Sequence, residues 1–295
     1  MNKNILSHLA LLGATTFYAL TFIIAKDVMP DYVAPYGFIV IRVVGAGLLF
    51  WLLGLFVNEK IDKKDYSKLV LGAFFGVALN QMLFFKGLSY TTPLYGSIIM
   101  VSNPIIVLIV ASILLKERIT SRKIVGIVLG AFGALSLILY GKEVGVDAPD
   151  TVLGNILVLI NAASYGVYLV IMQPLMRKYH PLTIIKWVFL IGFVFVIPFG
   201  FKEFTEIKWM ELPSEMIWRI AYVVIFTSFF AYLLNVYALR KLKASTVSFY
   251  IYLQPIIISI LTIILGRDTI GLIEVLSSAS IFYGVYLVST KQTSK

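Results

Sequence analysis

The sequence predicts an all-α integral membrane protein: ten transmembrane helices in two inverted five-helix repeats, with both termini cytoplasmic. Three features predict it. The 295 residues are 60% hydrophobic and only 14% charged, with a mean hydropathy of +0.93, which leaves more apolar surface than one compact core can hide from water. The apolar residues fall into runs of about 20, the length of one bilayer crossing. The second half of the chain also repeats the first at a nearly constant shift.

The runs lie at about 5–25, 35–57, 68–88, 93–115, 122–140, 152–173, 182–201, 216–239, 244–265 and 271–290. The first, Ile5 to Ala25, is too long for the apolar region of a cleavable signal. It leads into Lys26-Asp27 without a small-x-small site, so it reads as the first span. The second carries Arg42 and the third Asn80 and Gln81. The fourth, NPIIVLIVASILL from Asn103, puts a proline into an apolar run, and the ninth, QPIIISILTIILG from Gln254, does nearly the same. Such prolines free a backbone carbonyl and kink a helix, which makes Pro104 and Pro255 candidate hinges. GAFFG (Gly72 to Gly76) and GIVLG (Gly126 to Gly130), in the third and fifth runs, are small-residue faces for close helix approach. The sixth run holds Asn161, Ser164, Tyr165 and Tyr168, the seventh Lys186, the eighth Tyr232 and Asn235, and the last Glu274, an interfacial acid near its outer start. Loops are short throughout.

With the N-terminus inside, the inner segments hold 16 Lys and Arg and the outer segments 6. Basic residues resist translocation, so this sets the orientation. The same distribution explains the net charge of +10. The basic residues form short clusters between spans and no patch interleaved with aromatics, so the expected partners are the lipid bilayer and a small molecule, with no nucleic acid. The chain has no cysteine, and its two histidines, His8 and His180, lie far apart. Disulfides, thiolate chemistry and a His-based metal site are thereby set aside, and no cofactor is expected.

A shift of 151 residues lays Leu88 on Leu239, Ser97 on Ser248, Pro104-Ile105-Ile106 on Pro255-Ile256-Ile257, Ile109 on Ile260, Ile113-Leu114 on Ile264-Leu265 and Gly133 on Gly284. The Pro, Gly and Ser matches carry the weight in so apolar a chain. Tyr18-Ala19 falls on Tyr165-Gly166 at a shift of 147. The copies divide at about 1–142 and 150–295, five spans each, and an odd number makes the second enter the membrane from the opposite face. Charge agrees: KERITSRK after the first proline helix is strongly basic, whereas its counterpart GRDTIGLIE has one Arg and two acids.

Ten spans in two halves, each half with a fourth helix of the form x-P-x-x-x-x-(apolar)-x-E, resemble the drug/metabolite transporter superfamily and its EamA-type exporters. Here the two helices read NPIIVLIVASILLKE, with Glu117, and QPIIISILTIILGRD, with Asp268 where the family usually has Glu. YALTFIIAK from Tyr18 is similar to the family's first-helix motif, and IRVVGAGLL from Ile41 to its second-helix Arg motif. The resemblance implies a central cavity between the first, third, fourth, sixth, eighth and ninth helices. It also implies a peripheral place for the second and seventh, so that Arg42 and Lys186 snorkel or bind a structural partner.

Polar groups at membrane depth are costly and tend to face such a cavity. The candidate substrate-binding residues are therefore the amides and hydroxyl of Asn80, Gln81, Asn103, Asn161, Ser164, Asn235 and Gln254, with Tyr18, Tyr165, Tyr168, Tyr232 and Tyr252 as aromatic walls. For each, the plainer alternative is a hydrogen bond between packed helices. Glu117 is expected to pair with a nearby base or cap a helix end. The reading that follows is a secondary transporter, an exporter of small amphipathic metabolites such as amino acids working by alternating access, as a monomer or homodimer in the cytoplasmic (inner) membrane. The alternative is an integral membrane enzyme acting on lipid or prenyl substrates, which would need clustered acids or histidines at an interface; here the acids are scattered in loops. A channel would call for charged rings. The chain has no G-x-x-x-x-G-K-[ST] stretch to hold a nucleotide.

Overall fold

A computed structural model describes residues 3–57, 59–91, 96, 99–140, 150–254, 256–257, 260 and 272–289. Among these the chain is helical and contains no strand. In chain order the helices are α1 (Lys3–Val28), α2 (Pro35–Gly54), α3 (Lys63–Tyr90), α4 (Asn103–Leu114), α5 (Ser121–Tyr140), α6 (Thr151–Lys178), α7 (Pro181–Thr205), α8 (Ser214–Leu239), α9 (Ala244–Phe249, continued by a 3₁₀ turn over Tyr250–Tyr252) and α10 (Leu272–Ser289). Six of them, α1, α2, α3, α6, α7 and α8, are long and apolar enough to cross a membrane, and α4 is a shorter apolar helix. Large apolar side chains such as Ile113, Phe132, Val194, Trp218 and Tyr286 stand largely exposed on the outside. That surface suits lipid and would be a liability in water.

Helix ends follow local chemistry. α2 and α7 open on Pro35 and Pro181, whose missing N–H is no loss in the first turn. The Glu203 carboxylate near the end of α7 accepts from the N–H groups of Tyr36 (2.6 Å) and Gly37 (2.9 Å), putting negative charge on the start of α2. Asp150 caps α6 by accepting from the Leu153 N–H at 3.0 Å.

Pro104 does not kink a continuous helix. Val101 and Ser102 form a turn, and α4 starts at Asn103 with Pro104 in its first turn, where proline breaks no internal hydrogen bond. The expected fourth span is thus interrupted before the proline. Pro255, Ser97 and Asp268 lie outside the described residues, as does the Glu274 side chain.

The repeat reappears as packing. α5 and α10 lie together through glycines: a Cβ added at Gly126 would meet the Gly284 carbonyl (2.9 Å), and one added at Gly133 would meet the Ser277 carbonyl (2.6 Å). By the 151-residue shift, Ser277 is the counterpart of Gly126 and Gly284 that of Gly133. Each contact is therefore the other with the copies exchanged, as across a two-fold axis. Ser280 donates to the carbonyl of its own counterpart, Leu129, at 3.0 Å. α2 packs on α7, α4 on α9, and α3 on α6 in the way that α8 packs on α1. α3 and α8, which correspond, both contain a π-helical stretch, Phe74–Ala78 and Val223–Phe230.

Because the α5–α10 contact is backbone against backbone, Gly133→Leu is expected to lower stability by about 1–3 kcal/mol through overpacking. Phe132→Leu, on the outward face, serves as the control and is expected to change little. Thermal melts of both variants in detergent check this.

Candidate functional site

Polar side chains from six of the sequence's apolar runs converge on one central cavity of about 80 Å³. Its wall takes Thr15, Tyr18, Thr21 and Phe22 from α1, Asn80, Gln81, Phe84 and Phe85 from α3, and Asn161 and Tyr165 from α6. α8 supplies Thr227, Tyr232 and Asn235; Val247, Ile251 and Gln254 come from α9 and its continuation, Met100 from just before α4, and Arg42 from α2. In this conformation the volume is well under the several hundred Å³ of a typical ligand pocket. A metabolite therefore fits only if the walls part.

The π stretches shape the wall. A π turn carries one extra residue, so its carbonyls are offered to partners outside the helix. In α3, the Gly76 carbonyl accepts from the Tyr232 hydroxyl (2.9 Å) and the Phe75 carbonyl from the Ser164 hydroxyl (2.5 Å). Tyr232 in turn accepts from Gln81 Nε2 at 3.2 Å. Gln81 and Tyr232 are counterparts at the 151-residue shift, so the copies touch at their own matching positions. In the π stretch of α8, the Ser228 hydroxyl donates to the Val223 carbonyl (3.0 Å) and accepts from Arg42 Nε (2.8 Å). Thr21 gives its proton to the Phe17 carbonyl (2.8 Å) and thus accepts from Thr227 at 2.6 Å. Asn235 Nδ2 donates to the Tyr18 hydroxyl at 3.1 Å, and Asn161 Nδ2 to the Asn80 carbonyl at 2.7 Å.

Of the residues singled out in the sequence, Tyr18, Asn80, Gln81, Asn161, Tyr165, Tyr232, Asn235 and Gln254 line the cavity. Asn103, Ser164, Tyr168 and Tyr252 are buried outside its wall. Asn103 Nδ2 donates to the Ala162 carbonyl (2.6 Å) and joins α4 to α6; Ser164 ties α6 to α3. Tyr168 packs on Gly76, and Tyr252 on Gly130 and Phe249. Arg42 corrects the expectation of a peripheral, snorkelling side chain. It is only 2% exposed, reaches the cavity, and lays its guanidinium 4.2 Å from the centre of the Phe85 ring. An Arg in mid-span was the available sequence signal. Thr15, Thr21 and Thr227 were missed because a threonine in an apolar run normally satisfies its hydroxyl on its own helix.

Two ion-paired clusters flank the cavity at opposite ends of α3. At its start, Lys178 at the end of α6 bonds Asp62 and Asp65 (the latter at 2.6 Å), and Tyr179 donates to Asp65 at 2.8 Å. The hydrogen bond from Lys178 holds the Asp62 carboxyl below its ordinary pKa. At the far end of α3, Lys26 at the end of α1 donates to the Leu88 and Thr91 carbonyls, and its neighbour Asp27 pairs with Arg219, which also binds Glu215. α1 and α6 are counterparts, as are α3 and α8, so these are one contact made twice with the charges reversed. A third cluster ties the α4–α5 turn to α9. Lys116 takes a left-handed φ of 52°, and the buried Glu117 after it pairs with Lys123 and accepts from Ser245 at 2.6 Å. Among the described residues, no three of His, Asp and Glu gather as a metal site would require.

A family model described as the EamA-like transporter family matches this chain twice, over residues 5–139 and 152–290. The chain belongs to the EamA-like transporter family. This EamA-like protein is 26% identical over 291 residues to the uncharacterized transporter YyaM of Bacillus subtilis, covering 97% of this chain and 94% of that one. It is 27% identical over 277 residues to an uncharacterized transporter of Archaeoglobus fulgidus, covering 94% and 96%. A solved crystal structure 16% identical in sequence, covering 98% of both chains, matches it with a TM-score of 0.74, a likeness of fold. This chain is thus a multi-pass membrane protein of a transporter family, and the cavity is where its small-molecule substrate is to be sought.

Tyr232→Phe would strand the Gly76 carbonyl and Gln81 Nε2 together. A loss of about 1–3 kcal/mol of stability is expected, read as a lowered melting midpoint in detergent.

Proposed function

We propose that this protein is a secondary exporter of small amphipathic metabolites, amino acids first among them, working by alternating access around the central cavity. The observation that carries the proposal is the cavity's position. It lies between two copies of one unit, is lined in part by their matching residues, such as Gln81 with Tyr232 and Met100 with Ile251, and has an ion-paired cluster toward each end. Two near-equivalent halves can exchange conformations, so that opening one cluster while the other stays closed would expose the cavity to each side in turn. Amides to orient a solute and rings to cover its apolar part suit a small amphipathic molecule.

In this reading the copies are 1–142 and 150–295, each crossing the cytoplasmic membrane five times from opposite faces, with both termini in the cytoplasm and the protein acting as a monomer or homodimer. The distribution of Lys and Arg supports the orientation. The chain has no cysteine of its own, so single cysteines report sidedness directly. Lys208→Cys is expected to react with a membrane-impermeant maleimide in intact cells and Lys60→Cys only after permeabilisation; the reverse pattern would invert the topology.

Transport is tested with reconstituted protein and a mixture of labelled amino acids. Saturable flux is expected, and Asn235→Leu, which removes an amide from the wall and frees the Tyr18 hydroxyl, is expected to reduce it about tenfold or more while inserting normally. Unchanged flux in that variant would take Asn235 out of the site, and no flux of any amino acid would remove them as the substrate class.

A further inference from the structure

Three polar groups on the cavity wall are left over once the protein's own hydrogen bonds are made. Arg42 spends Nε on Ser228, yet its Nη1 has no partner. Gln81 Oε1 and Asn161 Oδ1 have none either.

Which end of each amide is left over follows from its neighbours. The Tyr232 hydroxyl has one proton and gives it to the Gly76 carbonyl, so toward Gln81 it can only accept, and Nε2 must face it. The Asn80 carbonyl likewise accepts only, so Asn161 presents Nδ2 to it. Both free atoms are therefore carbonyl oxygens. Among the described residues the wall holds one cationic donor and two neutral acceptors, each covered until the walls part, and no carboxylate lines it.

The three lie close together along α3. Asn161 is bonded at Asn80, Gln81 is the next residue, and Phe85, under the Arg42 guanidinium, follows Gln81 by one helical turn, about 6 Å of axis. A buried cation with no carboxylate beside it is costly at membrane depth, and unpaired buried acceptors are rare in native proteins. A solute with a carboxylate at one end and N–H donors beside it answers all three groups. A simple amine would add a second positive charge, and a neutral solute would leave Arg42 uncompensated.

We propose that Arg42 binds the carboxylate of the transported solute while Gln81 Oε1 and Asn161 Oδ1 accept from its ammonium group, which makes zwitterionic α-amino acids the substrate class. The assignment rests on the transporter reading above and adds to it the residues that read each end of the solute.

The test is equilibrium binding to the purified full-length protein in detergent, read as stabilisation against heat. The probes are the twenty α-amino acids, then the α-amide and the N-acetyl derivative of whichever binds. At least one amino acid is expected to stabilise saturably, with each derivative needing about tenfold or more higher concentration, the loss of a charge-assisted hydrogen bond. In Arg42→Gln the preference for acid over amide is expected to shrink to about twofold or less. Should that variant fail to fold, the comparison of acid with amide on the unaltered protein decides alone. An amide that binds as well as the acid, or no stabilisation by any amino acid, overturns the proposal. Flux in liposomes separates the two readings. Acid-selective binding without flux keeps Arg42's assignment and overturns transport, whereas flux only of solutes lacking a carboxylate keeps transport and overturns the assignment.

Discussion

The hydrogen bond from the Tyr232 hydroxyl to the Gly76 carbonyl holds the middle of this bundle together. In a membrane protein no lipid can take up a stray backbone acceptor, so a helix that breaks its own ladder must find a partner within the protein. The π turn in α3 creates that need, and α8, from the other copy, meets it. Gln81 then docks on the same hydroxyl, and Ser164 of α6 takes the adjacent Phe75 carbonyl. One local irregularity thus fixes three helices, and the side chains left around it form the cavity wall.

Much of the fold was legible because its punctuation survives in a one-dimensional string. Prolines, glycines and serines at a constant shift revealed the repeat, and the same glycines turn out to be the α5–α10 contact. The site was legible only in part. A buried amide looks alike in sequence whether it lines a cavity, as Asn161 and Asn235 do, or lies outside its wall, as Asn103 does. The π stretches are ordinary apolar text, Phe74–Ala78 and Val223–Phe230, since the extra residue shows itself only in hydrogen bonding. Arg42 does bind a structural partner, Ser228, but its place at the cavity is not legible in sequence, because Ser228 and Phe85 reach it from two other helices, α8 and α3.

Symmetry governs the frame and not the chemistry. Seven residues after its opening proline α2 carries Arg42, while α7 carries Val188 at the same step. Tyr232 stands opposite Gln81, and the end clusters keep their positions while trading the sign of their charges. The halves repeat each other's packing, while a few inward positions, Arg42 and Val188 among them, differ between the copies.

The glycine contacts between α5 and α10 also bear on how such a gene can change. Gly126 rests on Gly284 and Gly133 on Ser277, so bulk added in one copy collides with backbone belonging to the other. A protein assembled from two separate identical subunits would feel every such mutation twice. In this fused chain each copy can change alone, but only where its opposite number has become smaller or has moved away. Along this seam a change in one copy is thus coupled to the residue facing it in the other, Gly126 to Gly284 and Gly133 to Ser277.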